Sequence, residues 1–184
     1  KAQSNGLTDR IRTSPLDLQT LDQVFLEGPF DLVFSNFGAL NCVDSTGLYR
    51  VARFIDGLTS PRAAVVMVVM PRACLWETVY FLGRARPRSA FRRCSGKPVP
   101  APVGNGTVLT WYHSPRSLRY AFGQTFSQTA VVPIGLAVPP SFLEAWAVRH
   151  PRLLASLARA DRTLRPFSLL AAIADHALVH LERS

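Results

Sequence analysis

The sequence predicts a single α/β domain, and three consecutive segments carry that prediction. Phe30 to Asn41, FDLVFSNFGALN, opens as a compact apolar run after the Gly28-Pro29 break and then turns abruptly small and polar. Asp44-Ser45-Thr46 offers helix caps, and Leu48, Val51, Ala52, Ile55 and Leu58 recur at helical spacing until Ser60-Pro61. Ala63 to Met70, AAVVMVVM, is too short for a typical helix and rich in β-branched residues, as suits a central strand buried on both faces. Strand, amphipathic helix of about four turns, strand is the βαβ unit of a parallel sheet.

The other elements follow in order. KAQSNGL reads as the end of a helix stopped at Asn5-Gly6, and RIRTSPLDL as a short strand entering a loop at Ser14-Pro15. Beyond Met70, ACLWETVYFLGRA reads as a helix and the Pro- and Gly-rich stretch from Pro87 to Gly106 as an excursion, so that residues 71–106 form a cap within the domain. TVLTWYH, Thr107 to His113, alternates like a strand, and Ser114-Pro115 starts a helix carrying Leu118, Ala121 and Phe122. AVVPIGLAV reads as extended chain. FLEAWAVRHPRLLASLARADRTL is helical with a break at His150-Pro151, and ADHALVHLER closes as a strand.

Composition bounds the function. With 184 residues and 48% apolar content the chain can bury one ordinary core, which makes one domain the expectation. The apolar run at 63–70 lies between Arg62 and Arg72 and falls far short of the roughly 20 residues of a membrane span. The opening KAQSNGLTDR has no apolar h-region and does not read as a signal peptide. Cys42, Cys74 and Cys94 fit neither a disulfide framework nor a zinc site, and the simplest expectation is a reducing, cytoplasmic compartment. The net charge of +9 raises the question of nucleic acid. All the basic residues except Lys1 and Lys97 are arginines, scattered among Ala, Val, Leu and Pro rather than focused, which argues against it. The densest cluster is RARPRSAFRR, Arg84 to Arg93, read as a solvated cap surface or as a contact for an anionic acceptor or membrane headgroups.

FDLVFSNFGALN resembles the fourth-strand motif of class I S-adenosylmethionine-dependent methyltransferases, and PLDLQTL resembles the loop after that family's third strand. The order of the remaining segments, through HSPRSL to ADHALVHLER, is similar to the rest of the family from its third strand onward. The resemblance implies an α/β, Rossmann-like sheet with an antiparallel last strand and a helical cap between the fifth and sixth strands. It also implies that the first two strands and the glycine-rich cofactor loop are absent from residues 1–184, a single partial domain, with an unpaired strand edge and a half-open site in consequence. The only close glycine pair, Gly104-Asn105-Gly106, precedes a strand and reads as a turn. The implied cofactor is S-adenosylmethionine and the implied activity is methyl transfer to a small-molecule acceptor.

The candidate residues follow from this frame. The resemblance makes Asp17 the acceptor for the adenine amino group, and Leu18 or Phe37 the cover on the adenine face. Ser35, Asn36, Phe37 and Asn41 fall beyond the carboxyl end of a strand, where open α/β sheets bind ligands. Asp17 is equally a cap or loop residue, and Asn36 and Asn41 equally turn residues, on the residues alone. Methyl transfer needs positioning more than dedicated catalysts, and Glu77, Tyr112 and His113 are the candidates for moving a proton. His113 has the ordinary pKa for that task, against a plain cap role before Ser114-Pro115. Trp76, Tyr80 and Phe81 are an acceptor pocket on one reading and core packing on the other. His176 and His180 sit about 13 Å apart on one strand face, too distant to share an ion, so no metal is expected. Two other classes stay open: a non-catalytic Rossmann-like module binding an anionic partner, and an RNA-binding domain or RNA methyltransferase.

Overall fold

A computed structural model describes Gly6 and residues 10–184. In chain order its elements are β1 (Phe30–Ser35), α1 (Ser45–Leu58), β2 (Thr59–Val69), α2 (Leu75–Leu82), α3 (Pro87–Ala90), β3 (Val99–Val103), β4 (Gly106–Thr110), α4 (Pro115–Phe122), β5 (Phe126–Ile134), α5 (Glu144–Arg149), α6 (Pro151–Leu164) and β6 (His176–Arg183). The main sheet has the spatial order β1-β2-β6-β5. β1 runs parallel to β2, while β6 is antiparallel to both its neighbours. The carboxyl ends of β1, β2 and β5 therefore share one edge of the sheet with the start of β6.

Local sequence explains the helices that cover this sheet. Asp44 caps α1 by accepting from the Gly47 amide at 2.6 Å, and Ser114 caps α4 in a reciprocal box with Ser117. Leu48, Val51, Ala52 and Ile55 of α1 and Leu118 and Phe122 of α4 pack against Val65, Met67, Val69, Ala177, Val179 and Leu181. Alternation along each strand sends the intervening residues to the opposite face. That second face is open near β1, where Leu32 and Phe34 are 59% and 60% exposed.

Two expectations are corrected. Residues 11–16 form no strand; the segment lies alongside the domain, joined to it through the half-buried Leu18 and the buried Leu21, with no strand partner among the described residues. The alternating segment at 107–113 is a strand only to Thr110, and it pairs with β3 in a separate hairpin instead of entering the main sheet. The sheet's sixth-strand position is filled by β5, which begins at Phe126, upstream of the segment read as extended chain. The cap is accordingly two short helices plus a β-hairpin, and Gly104 supplies the left-handed turn residue of that hairpin at φ 56°. The helix end expected at KAQSNGL lies outside the described residues apart from Gly6. No helix among the described residues is long and apolar enough to cross a membrane.

The two faces of the sheet predict opposite mutational costs. Met67→Ala, at a fully buried position, is expected to cost about 2–5 kcal/mol, whereas Leu32→Ser on the open face is expected to stay within about 0.5 kcal/mol. Urea denaturation of both variants checks this, and equal costs would contradict the face assignment.

Candidate functional site

The loop after β1 is shaped by two successive left-handed residues, Phe37 at φ 53° and Gly38 at φ 67°. Asn36 brackets them: its carbonyl accepts from the Ala39 amide, and its side-chain Oδ1 accepts from the Phe37 amide at 2.8 Å. Gly38 is favoured by its left-handed conformation, and a Cβ there would lie close to Met70 Cε, at 3.2 Å. A large side chain in the left-handed region is strained, and Phe37 is nevertheless 94% exposed beyond the carboxyl end of β1.

Asn41 holds this loop in place. It is fully buried, and its carboxamide donates to the Met70 carbonyl at 3.1 Å and the Trp111 carbonyl at 2.6 Å while accepting from the Met70 amide at 2.9 Å. The Trp111 amide returns a bond to the Asn41 carbonyl at 2.7 Å. His113 adds a second tie: Nε2 donates to the Val43 carbonyl at 2.9 Å, and the backbone amide donates to Met70. The loop after β1, the end of β2 and the exit from the hairpin are thus joined at one point.

A cleft of about 800 Å³ opens beside this junction. Its walls are the turn at Leu16–Gln19, Ala39 and Cys42, and the hairpin side chains from Thr107 to Leu109 with Trp111. Asp17 lies on the rim; its Oδ1 accepts from the Gln19 amide at 2.8 Å, while Oδ2 makes no bond among the described residues. Leu16, Leu18 and Ala39 also line a second, apolar groove of about 440 Å³, which runs along β1 past Phe34, Ser35 and Asn36. The volume of the cleft lies within the ordinary range for a small-molecule or cofactor pocket.

The cap is fastened by a buried ion-pair chain. Glu77, 2% exposed, accepts from Arg92 Nε at 2.6 Å and from Arg93 Nε at 2.9 Å. Arg93 continues to Asp175 at 3.0 Å, and Asp175 also pairs with His176 Nδ1 at 3.1 Å at the start of β6. Burial pushes the Asp175 carboxyl up, but His176 and Arg93 more than offset it and hold it below its usual range. The Arg93 guanidinium also lies 5.1 Å from the Tyr112 ring centre. Burial raises the half-buried Tyr112 phenol above its ordinary value, so at neutral pH it remains a hydrogen-bond donor.

These placements sort the expected residues. Asp17, Leu18, Ser35, Asn36 and Phe37 gather at the carboxyl end of β1. Asn41 is turned inward: it is fully buried, and three of the four hydrogen-bonding positions of its carboxamide are taken by backbone. His113 and Glu77 are likewise buried, the first with Nε2 on the Val43 carbonyl and the second between Arg92 and Arg93. Tyr80 packs against Phe81 and Phe142 with centroid separations of 5.2 and 5.0 Å, an aromatic cluster joining α2 to the start of α5. Trp76 keeps a buried indole Nε1 with no partner among the described residues. Sequence reasoning did not foresee Cys42 and Trp111 as cleft walls; the proximity of Cys42 to the strand-end motif was the only available signal.

Asn41→Leu is expected to cost about 3–5 kcal/mol, because it strands the Met70 amide and two carbonyls, against less than about 1 kcal/mol for Asn36→Ala. Urea melts of the two variants decide this. His113 makes a second prediction: burial lowers its pKa below 6.5, opposed by the carbonyls of Val43 and Leu40. Between the lowered value and 6.5 the unfolded chain binds more protons than the folded one, so the contribution of neutral His113 is complete above about pH 6.5 and is lost as pH falls through that window. Stability measured across this range should slope less in His113→Gln than in the parent, and identical slopes would contradict the buried neutral imidazole.

No protein-family profile and no curated protein matches the chain. Among solved structures it is similar to an S-adenosylmethionine-dependent methyltransferase from Clostridium acetobutylicum ATCC 824, with a TM-score of 0.52 and 8% identity over 98% of this chain and 67% of that one. An S-adenosylmethionine-dependent methyltransferase from Mesorhizobium loti matches at a TM-score of 0.47 and 18% identity, over 89% of this chain and 66% of that one. The chain spans about two thirds of the length of these structures. With its antiparallel β6 between β2 and β5, it has the class I S-adenosylmethionine-dependent methyltransferase fold.

Proposed function

We propose that this chain forms the adenine-side wall and the acceptor cap of a methyltransferase that binds S-adenosylmethionine in the cleft between Asp17 and the hairpin. The observation that carries the reading is the position of that cleft at the carboxyl end of an edge parallel strand, where a Rossmann-like sheet binds nucleotides. The residues fit the group. Leu18, Ala39, Val108 and Leu109 supply apolar walls for a purine, the free Asp17 Oδ2 suits an exocyclic amine, and Phe37 projects an aromatic ring from the adjoining turn.

S-adenosylmethionine held there would supply an activated methyl group, to be displaced from its sulfur by an acceptor lone pair with S-adenosylhomocysteine as the leaving group. The chain's own part is to position the acceptor and exclude water. The cap, latched to β6 through Glu77, Arg93 and Asp175, provides that cover. In this reading Tyr112 donates a hydrogen bond to a small-molecule acceptor, and Trp76, Tyr80 and Phe81 are its proposed apolar surround. Among the described residues β1 pairs on one side only, and its exposed Leu32 and Phe34 leave room for further strands of such a sheet.

Calorimetric titration of S-adenosylmethionine into the chain and into an upstream-extended version tests the reading. Saturable binding to the extended chain is expected, weakened about tenfold by Asp17→Ala through loss of a charge-assisted hydrogen bond. No saturable binding to the extended chain would refute it. Phe37→Gly should separate fold from function, raising stability by about 1 kcal/mol as the left-handed strain is relieved while weakening cofactor binding.

A further inference from the structure

We propose that the outer face of the cap docks on an anionic lipid surface, with Leu75, Val79 and Leu82 entering the interface and Arg84, Arg86 and Arg88 meeting the lipid phosphates. This does not depend on the methyl-transfer reading, since the surface is distinct from the cofactor cleft.

The three apolar residues lie at i, i+4 and i+7 of α2 and form one stripe. They are 47%, 58% and 47% exposed. The orientation of α2 is fixed from its other side, where Glu77 is bound by Arg92 and Arg93 and Tyr80 packs on Phe142. Turning the stripe inward would break that ion-pair chain.

The charge beside the stripe is one-sided. Residues 71–110 hold seven basic residues and a single acidic one, Glu77, which is buried and already paired. The arginine cluster seen in the sequence divides accordingly. Arg92 and the buried Arg93 are paired with Glu77, whereas Arg84, Arg86 and Arg88 are exposed and pair with no carboxylate among the described residues. Arg84, two residues beyond the last residue of the stripe, rests over the Tyr80 ring at 3.9 Å.

Aliphatic side chains flanked by arginines are the pattern of helices that lie in a bilayer interface. A nucleic-acid surface would use the cations but leave the aliphatic stripe without a role, since bases stack on aromatic rings. A second copy would bring an equally cationic cap against this one, and like charges oppose that contact. An anionic bilayer satisfies both halves of the surface.

Co-sedimentation with vesicles of mixed phosphatidylglycerol and phosphatidylcholine, and with phosphatidylcholine alone, tests the proposal. Binding to the anionic vesicles should be roughly tenfold or more tighter, and should fall by at least that factor in R84Q/R86Q/R88Q. V79S/L82S should weaken it with the helical circular dichroism retained, whereas L32S/F34S, on the open sheet face, should leave it unchanged. Equal binding to neutral vesicles, full binding by the arginine variant, loss of binding in L32S/F34S, or tighter association with a short RNA duplex than with the vesicles would each overturn it. The arginine variant changes only exposed side chains, so its result stands even if V79S/L82S fails to fold.

Discussion

One buried carboxamide sets the geometry on which the candidate site depends. Asn41 offers one acceptor and two donors, and the backbone around it presents the complementary set: the Met70 amide and carbonyl and the Trp111 carbonyl. No other uncharged side chain of this size matches that set; aspartate at the same place would put a charge against two carbonyls. The bonds join three segments from distant parts of the chain, so the end of β2 fixes both the loop after β1 and the root of the hairpin. His113 repeats the device one turn away through Val43. The floor and one wall of the cleft are therefore a single rigid piece, and Phe37 is displaced outward from it.

The cap has its own fastening. Removing Glu77, Arg93 and Asp175 from water carries a desolvation penalty, which the chain meets by giving each buried charge at least one close counter-ion. The consequence reaches function. Glu77 and His113 are committed to architecture here, whereas Asp17 and Phe37 are exposed and Tyr112 is half-buried. Under the proposed function these groups would position substrates rather than move protons.

The parts of this arrangement that were legible in the sequence are those written in local periodicity. β1, α1 and β2 announced themselves through apolar runs and a 3.6-residue repeat, α4 through its Ser-Pro start, and β6 through its alternation. The hairpin was misread because alternation identifies a strand but not its partner, and because Pro100 and Pro102 mask β3 as loop. Pro133 similarly obscured β5, an edge strand where a missing amide is tolerated. The third-strand segment was misread because pairing, which would make it a strand, is not a property of the segment itself. At the site, residue type did not separate the exposed Asp17 from the buried Asn41, Glu77 and His113. The partners of Asn41 are 29 and 70 residues away, and nothing local distinguishes a clasp from a ligand contact. Within the arginine cluster, the division between interior and free cations likewise depends on Glu77, which precedes Arg92 and Arg93 by 15 and 16 residues.

Under the proposed function the cofactor lies in the cleft beside the Asn41 junction. Amide chemical-shift mapping on the upstream-extended chain, with S-adenosylhomocysteine added to saturation, examines it most directly. The amides of Gln19, Ala39, Cys42, Leu109 and Trp111 should move together while those of Arg116, Arg119 and Ser168, around a separate pocket, stay still. Shifts confined to the second group, with the cleft unmoved, would contradict it.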